Sequence, residues 1–255
     1  MQHSKFTSPL RRTLCASFAV FALGSLVAPA THAQSYPNKA IKFVVPFSAG
    51  SATDNVGRII AQAMSDAWGQ PITIENKAGA NGILGAEAVK AAPADGYTFL
   101  VTTSTTQAAN VHLYRKLPYD PVKDFTPIGK IGEVGFILMV NNDFPAKDMK
   151  EFVSYAKAHP GKLAYGHGSS GSLVSAAMLT ELAGLQTVGV PYKSIPPALT
   201  DLLGGQIQFA FADTGNAVSQ MNGGRMRGLG VTTKKRAGKA PNVPPIGDTV
   251  KDYNV

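Results

Sequence analysis

The stretch Val-Pro-Phe-Ser-Ala-Gly-Ser-Ala-Thr-Asp at residues 45–54 follows an apolar, β-branched run and precedes a helical pattern. A second stretch, Ala-Tyr-Gly-His-Gly-Ser-Ser-Gly-Ser at residues 164–172, has the same arrangement. Each predicts a buried strand, a loop of small residues and then an amphipathic helix. Strands and helices alternate along nearly all of the chain, which indicates parallel βαβ units with helices on both faces of a sheet.

Both loops are predicted to attract an anion. Small side chains leave backbone N–H groups accessible, and the first turn of a helix has donors without helical acceptors at a positive dipole end. Carboxylate and phosphate groups bind at such helix starts. Two of them, far apart in sequence, could hold one anionic ligand between two lobes.

Residues 1–33 have the features of a secretory signal. A basic start is followed by an apolar run over residues 14–28, which is shorter than the ~20 residues of a membrane-spanning helix. A small-x-small ending at residues 31–33 then predicts cleavage after about Ala33. We therefore expect an exported protein.

Composition excludes several kinds of site. The chain has 255 residues, a net charge of +8 and one cysteine, Cys15, which lies inside the predicted signal. The remainder is predicted to use neither disulfides nor thiol chemistry, and no metal-ligand spacing or cofactor motif is present. The basic cluster at residues 234–239 is interpreted as a solvated loop, because no aromatic platform for nucleic acid accompanies it.

Between the two quoted stretches, and after the first of them, the sequence predicts a helix with one apolar face and, later in the chain, two strands. The first helix, capped by Asp54, carries its apolar residues on one face: Val56, Ile59, Ile60, Ala63, Met64 and Ala67. Strands are predicted over residues 125–131 and 135–140. The second of these is expected to cross toward a new unit.

The second loop admits two other interpretations. Gly166-x-Gly168-x-x-Gly171 matches a dinucleotide fingerprint, but the next strand ends at residues 190–193 without the carboxylate that would bind a ribose. The nucleophile pattern G-x-S-x-G fails at both Ser169 and Ser170, and no histidine follows them. A serine-dependent hydrolase or transferase stays open as the alternative, with His112 or His167 as the base.

Two aspartates have predicted structural roles close to these loops. Asp54 is expected to cap the first helix, and a cap can also order the loop that holds a ligand. Asp213 follows an apolar strand and precedes a helix, so it too is a candidate cap. The carboxyl end of a strand is also where α/β sheets bind ligands, so contact between Asp213 and the ligand is equally open.

Several short motifs together resemble the Bug-type periplasmic substrate-binding proteins of tripartite tricarboxylate transporters. Val45-Pro46-Phe47 with Gly50 and Asp54 opens the series. The other motifs are Glu75-Asn76-Lys77-x-Gly79-Ala80-x-Gly82, Ala94-Asp95-Gly96-Tyr97-Thr98, Asp124-Phe125-Thr126-Pro127-Ile128, Val190-Pro191-Tyr192-Lys193, Leu202-Leu203-Gly204-Gly205-Gln206 and Pro241-Asn242-Val243-Pro244. The resemblance extends from about Tyr36 to the end of the chain.

This resemblance implies an α/β fold of the type II periplasmic binding protein (Venus flytrap) kind, with two α/β lobes and a ligand cleft between them. It implies no catalysis, no cofactor and no metal. The ligand would be a small di- or tricarboxylate, an acidic amino acid or an aromatic acid, delivered by a monomer to membrane transporter subunits or to a sensor. The implied ligand-binding residues are Phe47, Ser48, Ser51, Ala52, Asp54, Ser104, Thr106, Gly168, Ser169, Ser170, Gly171, Ser172, Tyr192 and Asp213.

The predicted division gives residues 34–140 to the first lobe, rejoined by residues 240–255, and residues 141–239 to the second. Similar proteins continue for several tens of residues beyond the Pro-x-Val-Pro region, so the first lobe is expected to be incomplete. A non-functional remnant is therefore a third interpretation. Within the motifs, Ser51 and Ser194 occupy positions where the family commonly has glycine.

Overall fold

The computed structural model of the chain describes residues 35–255. The predicted signal, residues 1–33, lies outside the described residues. Lys39–Val255 forms one compact unit. None of the helices within residues 35–255 has the length and apolar character needed to cross a membrane.

The first lobe, residues 39–135, contains a three-stranded parallel sheet in the order β2-β1-β3. Apolar side chains of β1 and of the helix that follows it form the core of this lobe. Its elements are β1 (Ile41–Val45), α1 (Ala52–Trp68), β2 (Ile72–Asn76), α2 (Ile83–Lys90), β3 (Thr98–Leu100), a π-helical turn (Thr105–Ala109) and α3 (Asn110–Leu113).

The second lobe, residues 136–255, contains a five-stranded sheet in the order β6-β5-β7-β4-β8. Helices cover both of its faces. Its elements are β4 (Phe136–Asn141), α4 (Met149–Ala158), β5 (Leu163–His167), α5 (Ser170–Leu182), β6 (Thr187–Pro191), α6 (Ile195–Leu203), β7 (Phe209–Asp213), α7 (Thr214–Asn222), β8 (Met226–Val231) and a 3-10 turn (Ile246–Asp248).

Strand β4 carries apolar side chains on both faces of this sheet. Leu138 and Val140 lie in the core on one side, and Ile137 and Met139 lie in the core on the other. Successive side chains of a strand point to opposite faces, so the run Ile-Leu-Met-Val needs cover on both. Helices on the two sides of the sheet provide that cover, while β7 and β8 pair with the two edges of β4.

The all-parallel arrangement predicted from the sequence is wrong for β4. This strand runs antiparallel to both β7 and β8, with Phe136 opposite Asp213. It reaches the sheet directly from the extended chain at residues 126–135, without a preceding helix. It therefore enters at the edge where β5 and β7 end.

The predicted division into lobes also differs from the packing at two places. Strand β4 was assigned to the first lobe, but its two apolar faces are buried within the second. Residues 240–255 were expected to rejoin the first lobe, yet Ile246, Val250 and Tyr253 lie in the core beside Leu138. An isolated parallel bridge between Val231 and Pro245 extends this attachment to the second sheet.

Two other predictions in the first lobe are wrong in part. Helix α1 exists, and Ile60 and Met64 pack against the core as predicted. Ile59, however, is 70% exposed, and Gly57 and Ala61 are buried instead, on the side of the helix that faces the sheet. The strand predicted over residues 125–131 is absent, and Ile128 and Ile131 are exposed in extended chain.

We predict that Tyr253→Phe lowers the free energy of unfolding by about 1 kcal/mol, because a buried hydroxyl that donates to the Ser175 carbonyl at 3.0 Å is lost. Urea denaturation of the variant and of the wild type measures the change. Tyr114→Phe, at a more exposed position, is the matched control. Equal stabilities of the two variants would contradict the attachment of the final segment to α5.

Candidate functional site

The candidate site lies where β1, β3 and β5 end. The loop after β1 leads into α1, the loop after β5 leads into α5, and the segment after β3 enters the π-helical turn. These are the two loops predicted from the sequence, joined by a third segment. Ligands of α/β proteins bind at such carboxyl edges.

Asp54 organises the first loop. Its carboxylate accepts hydrogen bonds from the Gly50 N–H, Arg58 Nε and Asn76 Nδ2, each at 2.9 Å. Ser51 is the N-cap of α1, and its Oγ accepts the Asp54 N–H at 3.2 Å. The prediction that Asp54 is the N-cap is therefore wrong, because Ser51 occupies that position and Asp54 is the third residue of the helix. The buried Asp54 carboxylate instead orders the loop through the Gly50 N–H.

The environment of Asp54 favours its charged form. Burial would raise the pKa of this carboxyl group, but hydrogen bonds from Arg58, Gly50 and Asn76 outweigh burial and hold the pKa below its ordinary value. The Arg58 charge is thereby engaged with Asp54. It is not a separate cation available to a ligand.

The first two N–H groups of α1, those of Ala52 and Thr53, have no hydrogen-bond acceptor among the described residues. Both residues are half-buried. Phe47, by contrast, has its ring in the core of the first lobe, and its carbonyl accepts Asn76 Nδ2 at 3.0 Å. The anion-binding capacity of this loop therefore lies at the start of the helix.

The second loop satisfies most of its own donors. Ser172 Oγ accepts the N–H groups of Gly168 and Ser169, both at 3.1 Å, and donates to the Ser169 carbonyl at 2.9 Å. Ser169 Oγ accepts the Ser172 N–H at 3.3 Å, which completes a capping box. Two N–H groups predicted to be accessible to a ligand are thus occupied by Ser172.

The start of α5 keeps the donors that remain. The Gly171 N–H has no acceptor among the described residues. The Ser170 N–H donates to Thr105 Oγ1 of the first lobe at 3.2 Å, and the two hydroxyls lie 2.9 Å apart. This pair brings the second loop against the segment after β3.

The same segment also contacts the first loop. A Cβ added to Gly82 would lie 2.6 Å from Thr106 Cγ2 and 3.3 Å from Pro46 Cβ, so these residues are in close contact. Thr106 is fully buried and its hydroxyl lies 2.6 Å from that of Thr102, whereas Ser104 is exposed. Both predicted loops therefore meet around residues 102–106.

Glycine is required in the second loop for steric reasons. A Cβ on Gly168 would lie 2.2 Å from the backbone carbon of Ser194, and one on Gly171 would lie 2.5 Å from the ring of Phe136. Phe136 thus covers the start of α5. It was missed by the sequence analysis, since nothing local links the beginning of β4 to this glycine.

Helix α6 begins beside the same loop but contributes few donors. Its N-cap is Ser194, and Pro196 and Pro197 occupy positions where N–H groups would otherwise be available. The buried Ser194 Oγ has no partner within residues 35–255. The donors that α6 keeps at its start are therefore those ahead of the prolines, the N–H groups of Ser194 and Ile195, which have no acceptor within residues 35–255.

Tyr192 and Asp213 have internal partners. The Tyr192 hydroxyl donates to Asp201 Oδ2 at 2.7 Å, and burial followed by the Asp201 carboxylate raises the pKa of Tyr192 to about 12. Asp213 caps α7 by accepting the N–H and Nδ2 of Asn216 at 3.0 and 2.8 Å. Asp213 faces Phe136 across β7 and β4, at the edge of the site.

The serine hydroxyls of the second loop have no imidazole or carboxylate partner within residues 35–255. Ser169 and Ser172 bond each other, and Ser170 bonds Thr105. His167 follows Tyr165 in β5, and burial lowers its pKa. Over the described range, no group of three or more His, Cys, Asp or Glu residues is placed to hold a metal ion.

Comparisons with known proteins agree with this architecture. The family model described as "Tripartite tricarboxylate transporter family receptor" matches residues 56–254. The curated relative Protein BugT of Bordetella pertussis is 31% identical over 240 residues, which cover 92% of this chain and 73% of BugT.

Solved structures give the same result. The periplasmic binding protein BugD is 34% identical, with a TM-score of 0.81 over 86% of this chain and 74% of BugD. MatC from Rhodopseudomonas palustris with bound malate is 35% identical, with a TM-score of 0.80 over 86% and 76%. R. palustris Rpa4515 with adipate is 33% identical, with a TM-score of 0.84 over 87% and 75%. The predicted fold, a type II periplasmic binding protein with two α/β lobes, is confirmed.

We predict that Asp54→Asn lowers the free energy of unfolding at pH 7 by about 2 kcal/mol, because hydrogen bonds to a buried charge are lost. The depressed folded pKa adds a pH effect: wild-type stability falls as the pH drops below ~4, where an unfolded aspartate begins to bind protons, toward the lower folded pKa. Urea titrations from pH 7 to pH 3 should show a shallower acid loss in the variant.

Asp66→Asn, which changes an exposed carboxylate on the same helix, is the control for Asp54→Asn. It should behave like the wild type across this pH range. If Asp54→Asn changed neither the free energy of unfolding at pH 7 nor its decrease toward pH 3, this carboxylate would not order the first loop.

Proposed function

The chain belongs to the tripartite tricarboxylate transporter receptor family, and from this premise we propose that it is a periplasmic solute-binding protein that captures a small organic carboxylate. The resemblance to the Bug-type proteins stated from its motifs is thereby confirmed. The family is one of substrate receptors. We propose that this member acts by binding and delivery, without catalysis.

The observation that carries the proposal is a pair of helix starts that each keep at least one N–H group available to an anion. Ala52 and Thr53 offer them in the first lobe, and Gly171 offers one in the second. The contact between Thr105 and Ser170 brings the second of these starts against the first lobe. A carboxylate supplies the oxygen acceptors that such donors need, and charge-assisted bonds of this kind are stronger than neutral ones.

The predicted site residues divide into two roles in this proposal. Ligand contact is assigned to Ser48, Ala52, Ser104, Ser170 and Gly171. Support of the loops is assigned to the residues whose polar groups are engaged within the chain or whose side chains lie in the core: Phe47, Ser51, Asp54, Thr106, Gly168, Ser169, Ser172, Tyr192 and Asp213.

The ligand class follows from the chemistry of these donors. Backbone amides and hydroxyls can recognise an anionic head directly, and the Arg58 guanidinium beside the first loop pairs with Asp54. The ligands named for MatC and Rpa4515 are malate and adipate, both small dicarboxylates. We propose a dicarboxylate of this size range, bound with little dependence on salt because the donors lie in a closed cleft.

We propose export and delivery as the biological setting. Residues 1–33 would direct the chain to the periplasm and be removed after about Ala33. The loaded monomer would then deliver its ligand to membrane transporter subunits or to a sensor. Closure of the two lobes on the ligand would signal the loaded state, to the extent that the ligand prefers the closed form.

The proposal predicts that Ala52→Pro weakens carboxylate binding about tenfold while the protein stays folded. Proline removes the N–H of the first helical residue, a position where proline is well tolerated, and the extended backbone of Ser51 (ψ 160°) suits a following proline. Isothermal calorimetry with malate, adipate, citrate, glutamate and benzoate measures the affinity.

Ala52→Ser is the matched control, because it keeps the N–H and should bind like the wild type. Thermal melts establish that each variant is folded. Equal affinities of the proline and serine variants would remove this N–H from the site. A folded wild-type protein that binds no acid in the panel would overturn the proposed function.

A further inference from the structure

A hydroxyl pair connects the two lobes at the centre of the site. Thr105 and Ser170 are 2% and 4% exposed, and their hydroxyl oxygens lie 2.9 Å apart. The Ser170 N–H also donates to Thr105 Oγ1, at 3.2 Å. The hydroxyl and the backbone N–H of Ser170 therefore both contact the hydroxyl oxygen of Thr105, a residue of the first lobe.

Thr105 Oγ1 takes the place of a ligand oxygen at this helix start. Ser170 is the first residue of α5, so its N–H is one of the donors that a bound anion would accept. A single N–H at this distance and direction serves one good acceptor. A carboxylate that accepts it must therefore replace the threonine hydroxyl.

The surrounding structure holds Thr105 in position for this contact. The Tyr119 hydroxyl donates to the Thr106 carbonyl at 2.6 Å, inside the π-helical turn. Asn110 Nδ2 donates to the Tyr119 hydroxyl at 3.2 Å and to the Asn81 carbonyl at 3.1 Å. π-helical turns are uncommon and occur frequently at functional sites, and this one is braced by buried hydrogen bonds.

We propose that Thr105 is a built-in competitor for the ligand: its hydroxyl binds the start of α5 and joins the two lobes until a carboxylate displaces it. The inference rests on the proposed function for the identity of the displacing group. The hydroxyl bridge itself can be tested without any ligand. Because displacement lowers the apparent affinity of every ligand that uses the Ser170 N–H, removal of the hydroxyl should tighten binding.

The test compares Thr105→Val, which removes the hydroxyl at nearly constant shape, with Thr105→Ser, which keeps it. Hydrogen–deuterium exchange of a peptide that covers residues 168–173 should show the Ser170 amide exchanging about tenfold faster in the valine variant than in the serine variant or the wild type. Calorimetry with malate and adipate should show about tenfold tighter binding by the valine variant for whichever acid the wild type binds.

The outcomes separate the two proposals. Equal exchange at Ser170 in all three proteins, or weaker binding by the valine variant, would overturn the competitor role. Faster exchange in the valine variant with no acid bound by any protein would support the hydroxyl bridge and reject the carboxylate function. Thr105→Ala is measured alongside, so that a packing defect specific to valine cannot produce the result.

Discussion

The first turn of a helix leaves N–H groups that the helix itself cannot satisfy, and the site of this protein is arranged around that constraint. In the first lobe, the Asp54 carboxylate and the Ser51 hydroxyl accept N–H groups of the loop and of the third helical residue, which leaves the first two helical N–H groups available. In the second lobe, Ser172 satisfies the loop and leaves Gly171. At each helix start, most donors are thus used within the chain, and one or two N–H groups stay without an acceptor among the described residues.

This division of donors explains how an anion site can form without a dedicated cation. The charge of Arg58 stabilises Asp54, and the basic cluster at residues 234–239 is exposed on a loop after β8. In our proposal, attraction at the site comes instead from aligned backbone dipoles and hydroxyls. Such donors are positioned by the fold before the ligand arrives, and their effect depends on the shape of the cleft more than on net charge.

Sequence patterns predicted the elements whose structure depends on interactions between residues close in the chain. The strand–loop–helix units at β1 and β5, and the cap at Asp213, follow from residues a few positions apart. The cap of the first helix was predicted at Asp54 and lies three residues earlier, at Ser51. Parts that depend on distant partners were not predicted. The position of β4 depends on cover for both of its faces, and the place of residues 240–255 depends on a core around Leu138 and Tyr253.

Within the site, too, features set by neighbouring residues were predicted, and features set by distant residues were not. Small residues in the second loop indicated accessible N–H groups, but whether Ser172 turns back to accept them depends on a side-chain rotamer that residue spacing does not reveal. Phe136 and Thr105 reach the start of α5 from other elements of the chain. The one sequence signal that could have found Phe136 is Gly171 itself, since a glycine inside the first turn of a helix indicates that another group lies too close for a side chain.

The two prolines at the start of α6 give the second lobe a directional preference. Helices α5 and α6 begin side by side, and two full sets of donors there would let an anionic head bind to either. Pro196 and Pro197 limit that choice, because they leave α6 with the N–H groups that precede them, those of Ser194 and Ile195. In our proposal, the missing backbone hydrogens reduce the number of ways in which an anionic head can sit between the two helices.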